Sequence, residues 1–352
     1  MKKIAKLSLI AAVAVAGFTT SASADSLAEA FAASKVKGEI KSQYFEKELQ
    51  DGTKSSIWTN GGNLSLTTGS YYGLKAGVTF QTGHVASIDD DNGKYNSDMD
   101  ASGSVMSEAY LAYTLGNTTA KAGRQYIKTP LVAGSGSRMF KQSFEGIVLA
   151  NTDIPNTTLV AAYVDKYQNR TDKAGGEPEF NQVEDGAYTV YAKNTSIEDL
   201  TIQAQYAQIK ALSGNDTKAM YADASYKLSN VVVSGQVYST DDGSTTDSNG
   251  SLYGLKVEGK LGGLSARAAY TTTDDEAEVV AGLGSGADYS FTASPINGGV
   301  YTQDTDSYLV GLGYKLDMGL GLDASYTNWD NKNTSVKTSE TNLTVKYKFN
   351  KI

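Results

Sequence analysis

The chain has 352 residues, a formal net charge of −8 and a sequence pI near 4.9. This acidity argues against nucleic acid as a partner, because phosphate backbones are bound by basic surfaces. The sequence contains no cysteine, which excludes disulfides and thiolate metal sites. A single histidine, His84, without a G-x-S-x-G motif leaves little for hydrolytic catalysis, so we predict that the protein is not an enzyme.

Residues 1–24 have the composition of a secretory signal peptide. Three lysines at the start are followed by an apolar core at 7–18 and by the small-residue sequence Ala-Ser-Ala at 22–24. Residues 25–352 are then the mature domain. The pattern predicts export, so a cytoplasmic location is not expected.

Beyond the signal peptide, apolar and polar residues alternate with a period of two, which is the period of a β-strand. Leu74, Ala76 and Val78, for example, face one way while Lys75 and Gly77 face the other. The same pattern predicts sixteen strands, near residues 36–45, 57–67, 74–81, 109–115, 119–126, 144–150, 159–163, 188–193, 200–206, 220–228, 231–238, 253–261, 264–270, 308–316, 320–326 and 343–349.

Tight turns and longer polar loops alternate between these strands. The seven tight turns lie near 68–71, 115–118, 152–157, 195–199, 228–230, 261–264 and 316–319, and all four prolines fall in connections. Short periplasmic turns with long external loops are typical of outer-membrane barrels. The sequence therefore predicts an all-β fold, a transmembrane antiparallel up-and-down β-barrel.

Aromatic residues mark the strand ends. Strands that run toward a long loop end on Tyr44, Phe80, Tyr126, Tyr163, Tyr206, Tyr238, Tyr270 and Tyr326. Tyr113, Tyr226, Tyr314, Tyr347 and Phe349 lie near the opposite ends. Such belts indicate membrane interfaces, although soluble barrels also place aromatic residues at strand ends.

Three segments carry a family resemblance: AYLAYTLGNTTAKAGRQYIKTPL at 109–131, SRMFKQSFEGIVLANTDIP at 137–155 and GADYSFTASPI at 286–296. With them, the sequence resembles the OprD-type outer-membrane porins and the related major outer-membrane porins. The resemblance implies a water-filled channel narrowed by an inward-folded third loop, here residues 127–143. It also implies eighteen strands, in which case residues 272–306 would hide another pair, and a homotrimer.

Five charged residues on or beside the third loop are the candidate pore constriction: Arg124, Arg138, Lys141, Glu145 and Arg170. Opposed charges in a narrow aperture select permeants by charge and shape. Arginine suits carboxylates because its planar fork donates two parallel hydrogen bonds. The alternative for Arg124 is a structural pair with Glu145.

Charge is unevenly distributed along the predicted barrel. Lys227, Lys260, Lys315, Lys346 and Lys348 lie close to the turns and are predicted to rim the periplasmic mouth. The external loops concentrate acids, as at residues 89–100, where a divalent cation could bind. The spacing there does not match an EF-hand, and we predict no other cofactor.

The leading hypothesis is an outer-membrane porin for passive diffusion of small hydrophilic solutes and ions, with a preference for amino acids or other carboxylates implied by the resemblance. Outer-membrane lipid and lipopolysaccharide would surround it. The alternative is a structural or adhesive barrel with a plugged lumen that acts through its external loops.

Overall fold

A computed structural model describes residues 23–48, 54–90, 102–170, 178–210, 215–243, 249–316 and 319–347. This part of the chain contains one short helix, α1 (Leu27–Ala32), and an eighteen-stranded sheet. The strands are β1 (Ser23–Ala24), β2 (Lys35–Glu48), β3 (Lys54–Thr67), β4 (Ser70–Tyr71), β5 (Leu74–Asp90), β6 (Gly103–Leu115), β7 (Thr118–Gln125), β8 (Phe144–Asn151), β9 (Thr157–Gln168), β10 (Phe180–Asn194), β11 (Leu200–Ile209), β12 (Thr217–Leu228), β13 (Val231–Asp241), β14 (Asn249–Leu261), β15 (Leu264–Thr273), β16 (Thr305–Lys315), β17 (Leu320–Asn331) and β18 (Val336–Tyr347).

Sixteen of the described strands are long, and each pairs antiparallel with the next long strand in the chain. The predicted count of sixteen is therefore confirmed. Residues 274–304, all of them described, contain no strand, so they do not hide a further pair. The eighteen strands implied by the resemblance are reached only by including β1 and β4, which have two residues each.

Five of the seven predicted tight turns join consecutive long strands as expected, and residues with positive φ make the shortest ones. The turn predicted at 68–71 contains β4 and extends to Gly73, and the turn predicted at 316–319 lies partly outside the described residues. Gly116, between β6 and β7, has φ 58°, and Gly262, between β14 and β15, has φ 59°. Ser229 has φ 56° in the turn from β12 to β13. Two-residue hairpins need this left-handed backbone because its twist matches that of the flanking strands.

The two faces of the sheet differ in the way a membrane barrel requires. Leu111, Leu149 and Leu255 are exposed on one face, at 57%, 47% and 63% of their surface. The other face carries glutamine, threonine and tyrosine, and one connecting loop touches it at both β2 and β11. Strands so far apart in the sheet can meet one loop only if the sheet curls around it.

Helix α1 packs beside the turn that contains β4. Ser26 caps its start, where the Ser26 hydroxyl accepts a hydrogen bond from Glu29 N at 3.2 Å. Gly69 N donates to Ala30 O at 2.8 Å. Residues 1–22 of the predicted signal peptide lie outside the described residues. No described helix is long and apolar enough to cross a membrane.

Candidate pore constriction

The third loop, residues 126–143 between β7 and β8, is buried instead of covering the surface. Phe140 and Val132 have no exposed surface, and Leu131 and Met139 are at most 3% exposed. Connecting loops usually run over the surface, since buried backbone must find hydrogen-bond partners. A loop that packs inside the barrel narrows the lumen.

Glutamine side chains on the inner face of the strands hold the third loop. Gln81 of β5 accepts a hydrogen bond from Lys141 N and donates one to Lys141 O, both at 2.9 Å. Gln168 of β9 donates to the same carbonyl at 3.1 Å. Gln205 of β11 accepts from Leu131 N at 2.8 Å. A carboxamide has the donor and acceptor of a peptide group, so it can replace a strand partner for loop backbone.

The seventh loop, residues 274–304 between β15 and β16, also folds inward and packs against the third loop. Leu283 N donates to Leu131 O at 2.9 Å, and Ala133 N donates to Leu283 O at 3.1 Å. A Cβ at Gly286 would lie 2.8 Å from the backbone of Gly134, so glycine is required for this approach. The two loops form one internal structure.

Strand side chains fix the seventh loop at two further places. Gln236 of β13 donates to Tyr289 O at 2.9 Å and accepts from Phe291 N at 2.7 Å. Glu340 of β18 accepts from Ser294 Oγ at 2.6 Å and from Asn297 N at 3.0 Å. Because the Glu340 carboxylate is charged, its hydrogen bonds are stronger than those of the neutral Gln236 amide.

A group of lysines lies around the third loop. Lys41 Nζ lies 3.4 Å from Arg138 O, and Lys121 Nζ lies 3.7 Å from Glu108 Oε1. Lys141 Nζ lies 3.7 Å from the centre of the Tyr126 ring. Burial lowers the pKa of Lys141, and Lys41 lowers it further while Glu108 opposes the shift. The loop therefore brings several cations to one side of the lumen.

The five predicted residues separate into two groups. Arg138 and Lys141 lie on the third loop with the lysines just described, and the Arg138 Nε is buried without a described hydrogen-bond partner. Arg124 and Glu145 are cross-strand neighbours whose side chains meet at 2.9 Å. Arg170 lies half-buried two residues beyond the end of β9.

The Arg124–Glu145 pair lies where the third loop leaves the sheet. Lys166 joins it with Nζ 3.3 Å from Glu145 Oε1, and the Arg124 guanidinium lies 4.1 Å from the Phe180 ring centre. These contacts favour the structural alternative for Arg124. A role of all five residues in the narrowest part of the pore stays a prediction.

Another part of the inner surface, formed by β12 and the seventh loop, is rich in tyrosine and carries two acids. Tyr221 donates to Asp223 Oδ2 at 2.7 Å. In the seventh loop, Tyr301 donates to Asp288 Oδ1 at 2.5 Å, and burial raises the pKa of Asp288. Burial also raises the pKa of Tyr289 to about 12. Both basic and acidic groups therefore lie on the inner surface, and such groups select permeants by charge.

Comparison with known proteins identifies a family for this chain. The family model described as Campylobacter major outer membrane protein matches residues 1–349. The chain belongs to this family. Family membership confirms the resemblance, the outer-membrane location and the prediction that this major outer membrane protein is not an enzyme. No curated protein sequence matched the chain.

Solved structures share the fold of this major outer membrane protein. OpdO of Pseudomonas aeruginosa is 16% identical, with 91% of this chain and 88% of that chain covered and a TM-score of 0.76. OccAB2 of Acinetobacter baumannii is 19% identical, with 92% and 89% covered and a TM-score of 0.74. OpdQ of P. aeruginosa is 18% identical, with 92% and 89% covered and a TM-score of 0.71.

Sequence reasoning missed the residues that hold the inner loops of this major outer membrane protein. Polar residues on the lumen side of a strand suggest side chains in contact with water. Gln81, Gln205 and Gln236, however, are at most 6% exposed. Glycines recur at 282, 284 and 286 in the seventh loop. A cluster of glycines in the longest loop was the available signal for close backbone packing.

Proposed function

We propose that the protein is an outer-membrane porin that forms a water-filled channel for passive diffusion of small hydrophilic solutes and ions. The observation that carries the proposal is the third loop, fixed inside the barrel with Lys41, Lys121 and Lys141 around it. Two-point hydrogen bonds such as that between Gln81 and Lys141 make the loop a rigid constriction. A rigid, charged constriction is what a selective diffusion pore needs.

The preferred permeants in this proposal are amino acids or other carboxylates. Arg138 on the third loop can donate two parallel hydrogen bonds to a carboxylate, and the nearby Lys41 and Lys141 add positive charge. Partial burial strengthens these interactions because water screens them less. Acids on the tyrosine-rich wall, such as Asp223, would orient the amino group of a zwitterion.

Conductance of the purified protein in planar bilayers tests the channel itself. We expect discrete conductance steps, and a reversal potential in a salt gradient that shifts toward cation selectivity when Arg138 and Lys141 are changed to glutamine. Uptake of glycine, acetate and glycerol by proteoliposomes tests the carboxylate preference. A reconstituted protein that carries no current would overturn the proposal.

The second candidate, a plugged structural or adhesive barrel, is favoured by one feature. Val132 and Leu283 lie in a buried apolar cluster where the two inner loops meet, and such packing could close the lumen. Swelling of liposomes in small sugars separates the two candidates, because a plugged barrel would not admit them. Loss of adhesion after removal of external loops would support the second candidate.

Four partners complete the proposal. Outer-membrane lipid and lipopolysaccharide would contact the exposed apolar face, and the barrel would assemble as a homotrimer. A divalent cation would bridge the acidic external loops, but residues 91–100 lie outside the described residues. No group of three acidic or histidine side chains suited to a metal ion occurs in the described part of the chain.

A further inference from the structure

Lysines gather at the periplasmic ends of the strands, far from the inner loops. We call this group the periplasmic lysine ring, and its members are Lys35, Lys37, Lys75, Lys193, Lys227, Lys260, Lys315 and Lys346. Each lies within two residues of the end of its strand on the side of the tight turns. In an outer-membrane barrel, that side faces the periplasm.

The alternation of side chains along each strand directs these lysines toward the lumen. Tyr226 and Tyr314 point outward, with 46% and 52% of their surface exposed at the level of the aromatic belt. The next residues, Lys227 and Lys315, must then point inward, since successive side chains of a strand face opposite ways. Lys227 also shares its face with Asp223, which is buried on the inner wall.

The ring has a regular spacing. Its members on β10, β12, β14, β16 and β18 occupy every second strand. Lys315 and Lys346 are both in register with Gly321 of the strand between them. Two strand spacings separate such a pair by about 10 Å, which is within reach of one small anion once the flexible side chains converge.

Four members of the ring, Lys227, Lys260, Lys315 and Lys346, form no ion pair within the described chain. Two inner carboxylates on neighbouring strands are engaged with other groups: Asp323 accepts two hydrogen bonds from the Arg267 guanidinium, at 2.7 and 2.8 Å, and Glu258 lies 3.0 Å from Lys256 Nζ. Other acids at this end, among them Asp153, Glu198 and Asp199, lie in the turns beyond the strands.

The other end of the barrel has the opposite character. Lys210, Lys218 and Lys332, near the external ends of the strands, are each paired with a carboxylate. Acids are also concentrated near this end, as in the sequence from 274 to 278 at the start of the seventh loop. An anion therefore meets attraction from the periplasmic side and repulsion from the outside.

We propose that the periplasmic lysine ring is a binding site for small multivalent phosphate anions, which enter from the periplasm and block the pore. Lysine ammonium groups suit phosphate as mobile point charges. A ligand with three or more charges engages several of them together, whereas chloride or acetate engages one. The proposal rests on the channel function proposed above.

The test uses single conducting channels in planar bilayers with inorganic tripolyphosphate as the probe, added to each compartment in turn. We expect block from one compartment only, with none from acetate at equal ionic strength. Block should weaken when salt is raised from about 0.1 M to 1 M, because the Debye length falls from about 10 Å to 3 Å. The variant carries Lys227→Gln, Lys260→Gln and Lys315→Gln.

The matched control removes the same charge at the other end, through Lys210→Gln, Lys218→Gln and Lys332→Gln. The ring variant should raise the half-blocking concentration about tenfold or more, the effect of losing three exposed charge contacts. The control should leave the block intact. Wild-type channels that conduct without one-sided block, or block that survives in the ring variant, would overturn the inference. A protein that does not conduct would instead overturn the channel proposal.

Discussion

The substitution Gln81→Leu removes the two hydrogen bonds between the Gln81 side chain and the third loop with little change in side-chain volume. Gln81 is 1% exposed and provides both a donor and an acceptor to the backbone of Lys141. Leucine leaves the amide N–H of Lys141 without its strand partner, while the carbonyl keeps the bond from Gln168 at 3.1 Å. The loop is then held by fewer contacts in the same position.

An orphaned buried donor costs about 1–3 kcal/mol. The barrel ladder is untouched, so the cost falls on the local opening of the third loop and not on global unfolding. A loss of about 2 kcal/mol raises the population of the opened loop about thirtyfold. We expect more frequent transitions between conductance levels, and faster amide exchange at residues 137–143.

Single-channel recording and hydrogen exchange of the same preparation measure both effects. The matched control is Gln208→Leu, because Gln208 lies on the outer parity of β11 and its side chain donates a hydrogen bond to Asp216, at 3.4 Å, and not to the third loop. The reasoning would be refuted by a Gln81→Leu channel with wild-type current traces and wild-type protection at Lys141. It would equally fail if the control channel showed the same added transitions.

Three further predictions concern the inner loops. Gly286→Val should separate the two loops and cost about 1–3 kcal/mol of stability, because its side chain overlaps third-loop backbone; thermal unfolding measures it. Arg138→Gln with Lys141→Gln should lower anion permeability, read from the reversal potential. Glu340→Gln should weaken the anchor of the seventh loop by about 1–2 kcal/mol, since a charge-assisted acceptor is lost; amide exchange at 294–299 measures it.

Each of these predictions has a result that contradicts it, and two have a control variant. Gly235→Ala adds a methyl where the nearest atoms lie 3.8 Å away, so equal destabilisation there would remove the packing argument. Lys218→Gln changes the external charge, and an equal shift in reversal potential would show that the third loop does not set selectivity. Unchanged exchange in the Glu340 variant would mean that other contacts hold the loop.

Much of the fold follows from local pattern. The period of two places strands such as β5 and β12 without reference to any other part of the chain, because alternating faces are a property of the extended backbone. The tight turns are equally local, since Gly116 and Gly262 supply the backbone conformation that a two-residue hairpin needs. The inward-folded loop after β7, in contrast, was expected only from the family resemblance.

The candidate site was harder to predict from sequence than the fold. Arg124 and Lys141 both resembled constriction residues, but register pairs Arg124 with Glu145 while Lys141 packs on Tyr126. Basic residues near a loop cannot be sorted by composition, because an ion pair depends on which residue lies opposite. The inward course of the seventh loop was not predicted, since polar loop sequences look alike inside and outside a barrel.

The amino-acid sequence by itself determined the strands, their number and the sides on which turns and loops lie, while the inner third loop was expected from the family resemblance. Only the tertiary structure decided which groups meet inside. Gln142 lies 3.2 Å from Ser135 N and 2.9 Å from Ser285 N, which is 143 positions away in the chain. Strand periodicity depends only on neighbouring residues. Contacts across the lumen depend on the curl of the whole sheet, which no short stretch of sequence determines.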